Sequence, residues 1–285
     1  MFSDAEQVRE TGQIRWLKRL YGTPSGRFIL NAVISRKWFT SMCTLPIRSR
    51  WSRNRIQPFI RDNRIDMSSY ESGPFRSFND FFIRRIKPGS RPYSLAPEDV
   101  ISPCDGRLSA VRIAPDTSFS IKGQPYTVAS LLRDDQAAKE YEEGTALIFR
   151  LQVHDYHRYL FSDSGQASSP REIPGRYHTV HPIGLSATSV LQENARTWQI
   201  LHFDHLGDII QIEVGAMMVG RIVNHPIHSF RRGDEKGYFC FGGSTIVWLV
   251  KHGQIALSDA WSAVYERELP VLQGQTIGTI GVKRP

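Results

Sequence analysis

The sequence predicts an α+β protein in which an antiparallel, β-rich catalytic core is preceded by basic amphipathic helices. Three observations carry this. Apolar residues in the first third recur at helical spacing among arginines and lysines. From about residue 100, short β-branched and aromatic runs alternate with Gly, Pro, Asn and Asp, without the strand–helix–strand repetition of a parallel sheet. The charge is also divided: residues 1–100 hold 18 Lys+Arg against 9 Asp+Glu, whereas residues 101–285 hold 18 against 19. The expected organisation is a helical, basic region over 1–95 and a β-rich catalytic domain over 96–285.

In the helical part, Ile14, Trp16, Leu17, Leu20 and Tyr21 lie among Arg15, Lys18 and Arg19 before the Gly22-Thr23-Pro24 turn. Phe28, Ile29, Val33, Trp38 and Phe39 continue the pattern, and Ile56, Phe59 and Ile60 stand beside Arg53, Arg55, Arg61 and Arg64. Such stretches suit packing helices with solvated basic faces, and they also suit docking on an anionic membrane. No familiar nucleic-acid-binding motif accompanies the charge, so nucleic acid is not an expected partner.

In the β part, strands are expected over Leu108–Ile113, Ala146–Val153, Asp208–Val214 and Met217–Val223, and a short helix over 129–142 ending near Gly144. The last apolar stretch, KGYFCFGGSTIVWLV (Lys236 to Val250), suits one strong strand, yet Gly242-Gly243-Ser244-Thr245 interrupts it.

With 285 residues and 40% hydrophobic content, the chain can bury a sizeable core. Cys43, Cys104 and Cys240 are scattered, with no CxxC pair, which indicates neither a disulfide framework nor a thiolate metal site and fits a reducing compartment. The acidic start MFSDAEQVRE does not look like a secretory signal, and RFILNAVISRKWF, cut by Arg27, Arg36 and Lys37, is too short to span a bilayer.

Polar residues gather at Ser102-Pro103-Cys104-Asp105-Gly106, at His154-Asp155-Tyr156-His157-Arg158, among histidines from 178 to 228, and at Gly242 to Thr245. The histidines pair three apart (154/157, 178/181, 202/205, 225/228), but on strands and turns and without a carboxylate at a familiar zinc spacing they predict no metal site. Asp105 suits a turn, His157 a core histidine and Ser244 a strand-joining turn. Together the three also supply an acid, a base and a nucleophile. The surroundings of Ser244 lack a G-x-S-x-G elbow, whereas the carbonyl of Gly243 next door is unshielded, so Gly243-Ser244 is a sensible place for a chain to attack itself.

Five stretches, FRSFNDFFIRRIKPGSRP (from Phe75), ISPCDGRL (from Ile101), HDYHRYLF (from His154), EVGAMMVGRI (from Glu213) and KGYFCFGGST (from Lys236), closely resemble phosphatidylserine decarboxylases, which are pyruvoyl-dependent and self-processing. The resemblance implies cleavage between Gly243 and Ser244 into chains 1–243 and 244–285, with Ser244 becoming the pyruvoyl cofactor. It places the charge-relay aspartate at Asp105 and the Asp-Tyr-His-Arg histidine at His157. Many members carry a further histidine three residues later, often taken as the triad base, where this chain has Leu160. The base role then falls to His157 or to His154, or activation proceeds differently.

The implied reaction is decarboxylation of phosphatidylserine to phosphatidylethanolamine through a Schiff base with the pyruvoyl group, by a peripheral membrane protein on the cytoplasmic face of an anionic phospholipid membrane. A homodimer is expected by resemblance only. Arg158 and the segment from Glu213 to Gly220 are candidate neighbours of the substrate. The alternatives are a pyruvoyl-dependent decarboxylase of a free amino acid and a non-catalytic membrane-binding relative.

Overall fold

In a computed structural model, which describes residues 12–121, 123–216, 221–242 and 244–281, the chain opens with helices. These are α1 (Gly12–Gly22), α2 (Pro24–Ile29), α3 (Lys37–Arg48), α4 (Ile56–Asp62) and α5 (Phe78–Phe82), with a π-helical turn at Leu30–Ile34 and a 3-10 turn at Arg50–Arg55. Thr23 ends α1 and starts α2: its hydroxyl accepts from the Gly26 N–H at 3.0 Å, and Pro24 follows at a position that needs no N–H. On α1, Leu17, Leu20 and Tyr21 are buried while Trp16, Lys18 and Arg19 face solvent.

The helices are tied to the β region rather than loosely appended. The Thr179 N–H donates to Tyr21 Oη at 3.0 Å, and the Tyr177 N–H donates to the Ser35 carbonyl at 2.9 Å. A separate apolar cluster of Ile47, Ile56, Phe78, Phe81 and Phe82 packs against Val153 and Phe241, bringing α3, α4 and α5 up to the middle of the Lys236 to Val250 stretch.

The strands are β1 (Asp99–Ile101), β2 (Gly106–Arg112), β3 (Ser118–Ile121), β4 (Gln124–Thr127), β5 (Thr145–Leu151), β6 (Arg158–Leu160), β7 (Gly165–Ala167) and β8 (Arg171–Ile173). They continue with β9 (Arg196–Phe203), β10 (Gly207–Gly215), β11 (Ile222–Asn224), β12 (Ser229–Phe230), β13 (Glu235–Phe239) and β14 (Ser244–Val250). The last are β15 (Ile255–Leu257), β16 (Leu269–Val271) and β17 (Thr276–Ile280). The main sheet runs β12-β7-β9-β10-β14-β5-β2-β16, with β8 also on β9, and its pairs are antiparallel. A smaller sheet runs β11-β13-β6, and β1-β17-β15 forms a third. The expected α+β class is therefore observed.

At the centre of the main sheet, β14 is buried at every residue, which explains its Ile-Val-Trp-Leu-Val composition. A buried polar network joins the two sheets. Lys236 Nζ of β13 lies 2.7 Å from Glu213 Oε1 of β10, Gln211 donates to the same oxygen at 2.7 Å, and Trp248 Nε1 donates to Gln211 at 2.8 Å. Asn224 of β11 completes it, donating to Glu213 and accepting from Lys236 and Tyr159.

Two sequence expectations are redrawn. The helix over 129–142 is two short helices, α6 (Val128–Leu132) and α7 (Asp135–Lys139), because Arg133 takes a left-handed conformation (φ 52°) and Asp134 caps the second by accepting from the Ala137 N–H at 3.0 Å. The Lys236 to Val250 stretch is two strands in different sheets, not one. Of the strand expected over Met217–Val223, residues 217–220 lie outside the described residues, and β11 begins at Ile222.

Candidate active site

Ser244 is the first residue of β14 and is fully buried, paired with Gly215 on one side and Leu151 on the other. The chain reaches it from β13 of the smaller sheet, and residues 240–242 lead out of that sheet toward it. Gly242 adopts φ 139°, a conformation that a side chain would strain, which accounts for glycine in the middle of an otherwise β-forming run. The crossing is held from outside: the Phe241 N–H donates to Asn79 Oδ1 at 3.1 Å and the Cys240 N–H to the Arg221 carbonyl at 2.9 Å. Gly243 lies outside the described residues.

His157 is brought to Ser244 by both its backbone and its ring. Its carbonyl accepts from the Phe239 N–H at 3.0 Å, fixing it to the last residue of β13. The ring Nε2 lies 2.9 Å from the Gln152 carbonyl oxygen and Nδ1 lies 3.2 Å from Ser244 Oγ. Because a carbonyl can only accept, the ring proton sits on Nε2, which leaves the Nδ1 lone pair facing the serine hydroxyl. Phe82 stacks over the ring at 4.1 Å between centroids. His157 is fully buried, and burial is the main cause that lowers its pKa to about 3; the Gln152 hydrogen bond opposes this and nearby Arg84 adds to it. The ring is therefore neutral at physiological pH.

Asp105 does not reach this ring. Its Oδ1 accepts from Arg91 Nη1 and from the Gln273 N–H at 2.8 Å; Asp105 is buried and Arg91 part-buried. The carboxylate that supports the His157 environment is Asp155. Its Oδ2 accepts from the Gln152 N–H at 2.6 Å, so Asp155 holds the N–H of Gln152 while His157 holds the carbonyl of the same residue. Burial raises the Asp155 pKa, and the neighbouring Asp105 charge pushes in the same direction.

His154 lies 3.7 Å from the Asp155 carboxylate, and its side chain is 41% exposed. Leu160 is buried on β6, where its N–H donates to the Pro103 carbonyl at 2.9 Å. Arg158 is occupied by Glu235 at 2.7 Å and the Ile83 carbonyl at 2.8 Å. Glu213 belongs to the buried network described above. No group of three or more His, Cys, Asp or Glu residues among the described residues could hold a metal ion. Gln152, Asn79 and Phe82 were not singled out from the sequence: Gln152 acts through a backbone carbonyl, which leaves no trace in residue identity, whereas Asn79 and Phe82 do fall in the Phe75 to Pro92 stretch.

The site can therefore do one thing with little rearrangement: accept the proton of Ser244 Oγ onto a neutral, oriented imidazole that is fully buried and covered by Phe82. A family model described as phosphatidylserine decarboxylase matches residues 78–279, a span that includes Asp105, His157 and Ser244. The chain belongs to the phosphatidylserine decarboxylase family.

Relatives in this family extend the match over nearly the whole chain. "Phosphatidylserine decarboxylase proenzyme 2" of Clostridium acetobutylicum is 46% identical over 254 residues, covering 89% of this chain and 86% of its own. "Phosphatidylserine decarboxylase proenzyme" of Desulfitobacterium hafniense is 39% identical over 258 residues, covering 88% and 86%. The protein of the same description from Ruminiclostridium cellulolyticum is 39% identical over 289 residues, covering 99% and 95%. This places the chain among the enzymes of the phosphatidylserine decarboxylase family, and no helix among its described residues is long and apolar enough to cross a membrane.

Proposed function

We propose that this protein decarboxylates phosphatidylserine to phosphatidylethanolamine, using a pyruvoyl group that it makes from its own Ser244. The observation that supports this most directly is the hydrogen bond between the Nδ1 lone pair of a neutral His157 and Ser244 Oγ. Family membership supplies the substrate class.

In the processing step, His157 takes the Ser244 hydroxyl proton and Oγ attacks the Gly243 carbonyl carbon. The Gly243–Ser244 C–N bond breaks, the nitrogen takes the proton back, and an ester replaces the amide. Loss of the Ser244 Cα proton then breaks the Cβ–Oγ bond and releases Gly243 as a carboxylate, leaving a dehydroalanine. Its imine form adds water and loses ammonia, which leaves a ketone at the head of chain 244–285. A site for such a group must exclude water and hold both new chains. Residue 244 is fully buried, and β14 keeps β10 and β5 as neighbours whether or not the 243–244 bond is intact. Further ties across the cut are Arg150 with Glu268 at 2.6 Å and Asp105 with the Gln273 N–H.

When formed, the pyruvoyl group supplies a ketone beside an amide carbonyl, an electron sink for decarboxylation of a bound amine. The contribution of the chain's own residues follows from the geometry. His157 faces the side-chain position of residue 244 and is the group placed to deliver a proton to the substrate carbon that has lost its carboxylate. An imidazole that burial keeps neutral becomes a strong acid once protonated, and so passes the proton on readily.

The composition of the helical region supports docking at a lipid surface. Of the exposed large apolar side chains, Trp16, Phe28, Ile29, Trp38, Met42, Leu45 and Trp51 all fall in residues 16–51, interleaved with Arg19, Arg27, Arg36, Arg48 and Arg50. Sedimentation with liposomes tests this: binding to anionic vesicles should fall as salt rises, and equal binding to neutral and anionic vesicles would exclude the electrostatic part. The function itself is tested by CO2 release from phosphatidylserine vesicles against release from free amino acids. Release from the amino acids alone would overturn the proposed substrate.

A further inference from the structure

Beside the active site lies a cavity of about 400 Å3 lined by Arg48, Arg50 and Arg76 together with Asn79, Asp80 and Ile83. No ion pair is formed by Arg48 or Arg50 among the described residues, while Arg76 lies 3.6 Å from Asp80. Three guanidinium groups around one hollow suit an anion, because each presents a fork of donors that matches phosphate oxygens.

The cavity's position says which anion. One wall is the short helix α5, whose Asn79 lines the cavity and also holds the Phe241 N–H, three residues before Ser244. On the same helix, Phe82 covers the His157 ring. The cavity and the reacting centre thus lie on either side of a single helical turn. Arg48 also acts on the crossing segment: burial raises the Cys240 pKa, and Arg48 is first among the charges that oppose the rise.

The cavity shares Arg50 with a larger one of about 880 Å3, whose walls are mainly the apolar Trp51, Ile56, Ile60, Met67 and Phe75, with Arg53 and Lys87 also on its lining. Leu45 and Trp51, at 64% and 87% exposure, flank the arginines and present apolar surface outward. Followed through the shared residues, the order is therefore apolar-walled cavity, arginines, reacting centre. A glycerophospholipid has the same order: acyl chains and glycerol, phosphodiester, head group.

We propose that the cavity lined by Arg48, Arg50 and Arg76 is the subsite for the phosphodiester of the substrate lipid. The inference rests on the reading of the substrate as phosphatidylserine. It assigns the phosphate to arginines that are open to a ligand, in place of Arg158, which Glu235 and the Ile83 carbonyl already engage.

The test uses the self-processed enzyme and monodisperse dihexanoyl phosphatidylserine, so that vesicle binding plays no part. KM should rise about ten- to a hundredfold in Arg48→Gln and in Arg76→Gln, the range expected for losing hydrogen bonds to a charged group, with kcat little changed and self-cleavage complete. Arg48→Lys, which keeps the charge, should lose less. Lys139→Gln, an exposed cation on α7, should leave KM unchanged. An unchanged KM in both glutamine variants would overturn the assignment. If the wild-type protein cleaves itself but does not act on phosphatidylserine, the substrate reading fails, and the subsite is then judged by calorimetry with glycerophosphoserine in the Ser244→Ala protein. There, binding weakened at least tenfold by Arg48→Gln supports an anion site, and binding that is equal or absent in both counts against it.

Discussion

His157 Nδ1 lies 3.2 Å from Ser244 Oγ while the opposite ring nitrogen is held by the Gln152 carbonyl, and both side chains are fully buried. Serine and imidazole thus form a pair whose orienting partner is a backbone oxygen. A fully buried charge would be costly beside this ring, and a neutral acceptor fixes the tautomer without introducing one.

The first prediction concerns the base. His157→Ala should slow self-cleavage by about 10²–10⁴-fold, the usual contribution of a positioned base, whereas His154→Ala should leave the rate within a few-fold. Gel electrophoresis of the time course after synthesis measures both. A His154 variant as slow as the His157 variant would reassign the base.

The second concerns pH. Because burial holds the folded His157 at about 3 against 6.5 for an unperturbed ring, self-cleavage should show no loss of rate between pH 7.5 and pH 5, where an ordinary histidine would become protonated. Stability carries the opposite signature. Between pH 6.5 and about 3 the unfolded chain binds a proton that the folded chain does not, so stability is full above pH 6.5 and falls on acidification by up to about 1.4 kcal/mol per unit from this group. Denaturant unfolding of the Ser244→Ala protein with and without His157→Phe isolates this contribution; identical slopes against pH would contradict it.

The third concerns Asp105. Held by Arg91 and the Gln273 N–H, it should behave as a structural ion pair. Asp105→Asn and Arg91→Gln should each destabilise by about 3 kcal/mol, with the double variant well short of the sum, and Asp105→Asn should slow self-cleavage less than His157→Ala does. Arrest of cleavage by Asp105→Asn with stability intact would instead support a relay role.

The fourth concerns the network between the sheets. Lys236→Met leaves Glu213 buried without its cation and should cost about 3–5 kcal/mol, read as a lowered denaturation midpoint. A change below about 1 kcal/mol would mean that Gln211 and Asn224 suffice to hold the carboxylate.

How far the sequence was legible follows from the kind of signal each feature leaves. The antiparallel core showed in runs such as Ala146 to Val153 and Asp208 to Val214, because strands buried in this way are written in side-chain type. The serine and histidine were visible because their identities carry chemistry. What could not be read were contacts made by backbone atoms or set by tertiary path: the Gln152 carbonyl on His157, the left-handed Arg133 that splits α6 from α7, and the crossing at Gly242 that turns one apparent strand into β13 and β14. The partner of Asp105 was hidden for the same reason, since Arg91 is only one of 18 basic residues in the first hundred.

The most direct test of self-processing at Ser244 is the intact mass of the purified protein. The expected result is two polypeptides, 1–243 and 244–285, the smaller one lighter by one ammonia than a chain that begins with serine. A single unbroken polypeptide in a preparation that decarboxylates phosphatidylserine, or a smaller chain that keeps its serine, would contradict it.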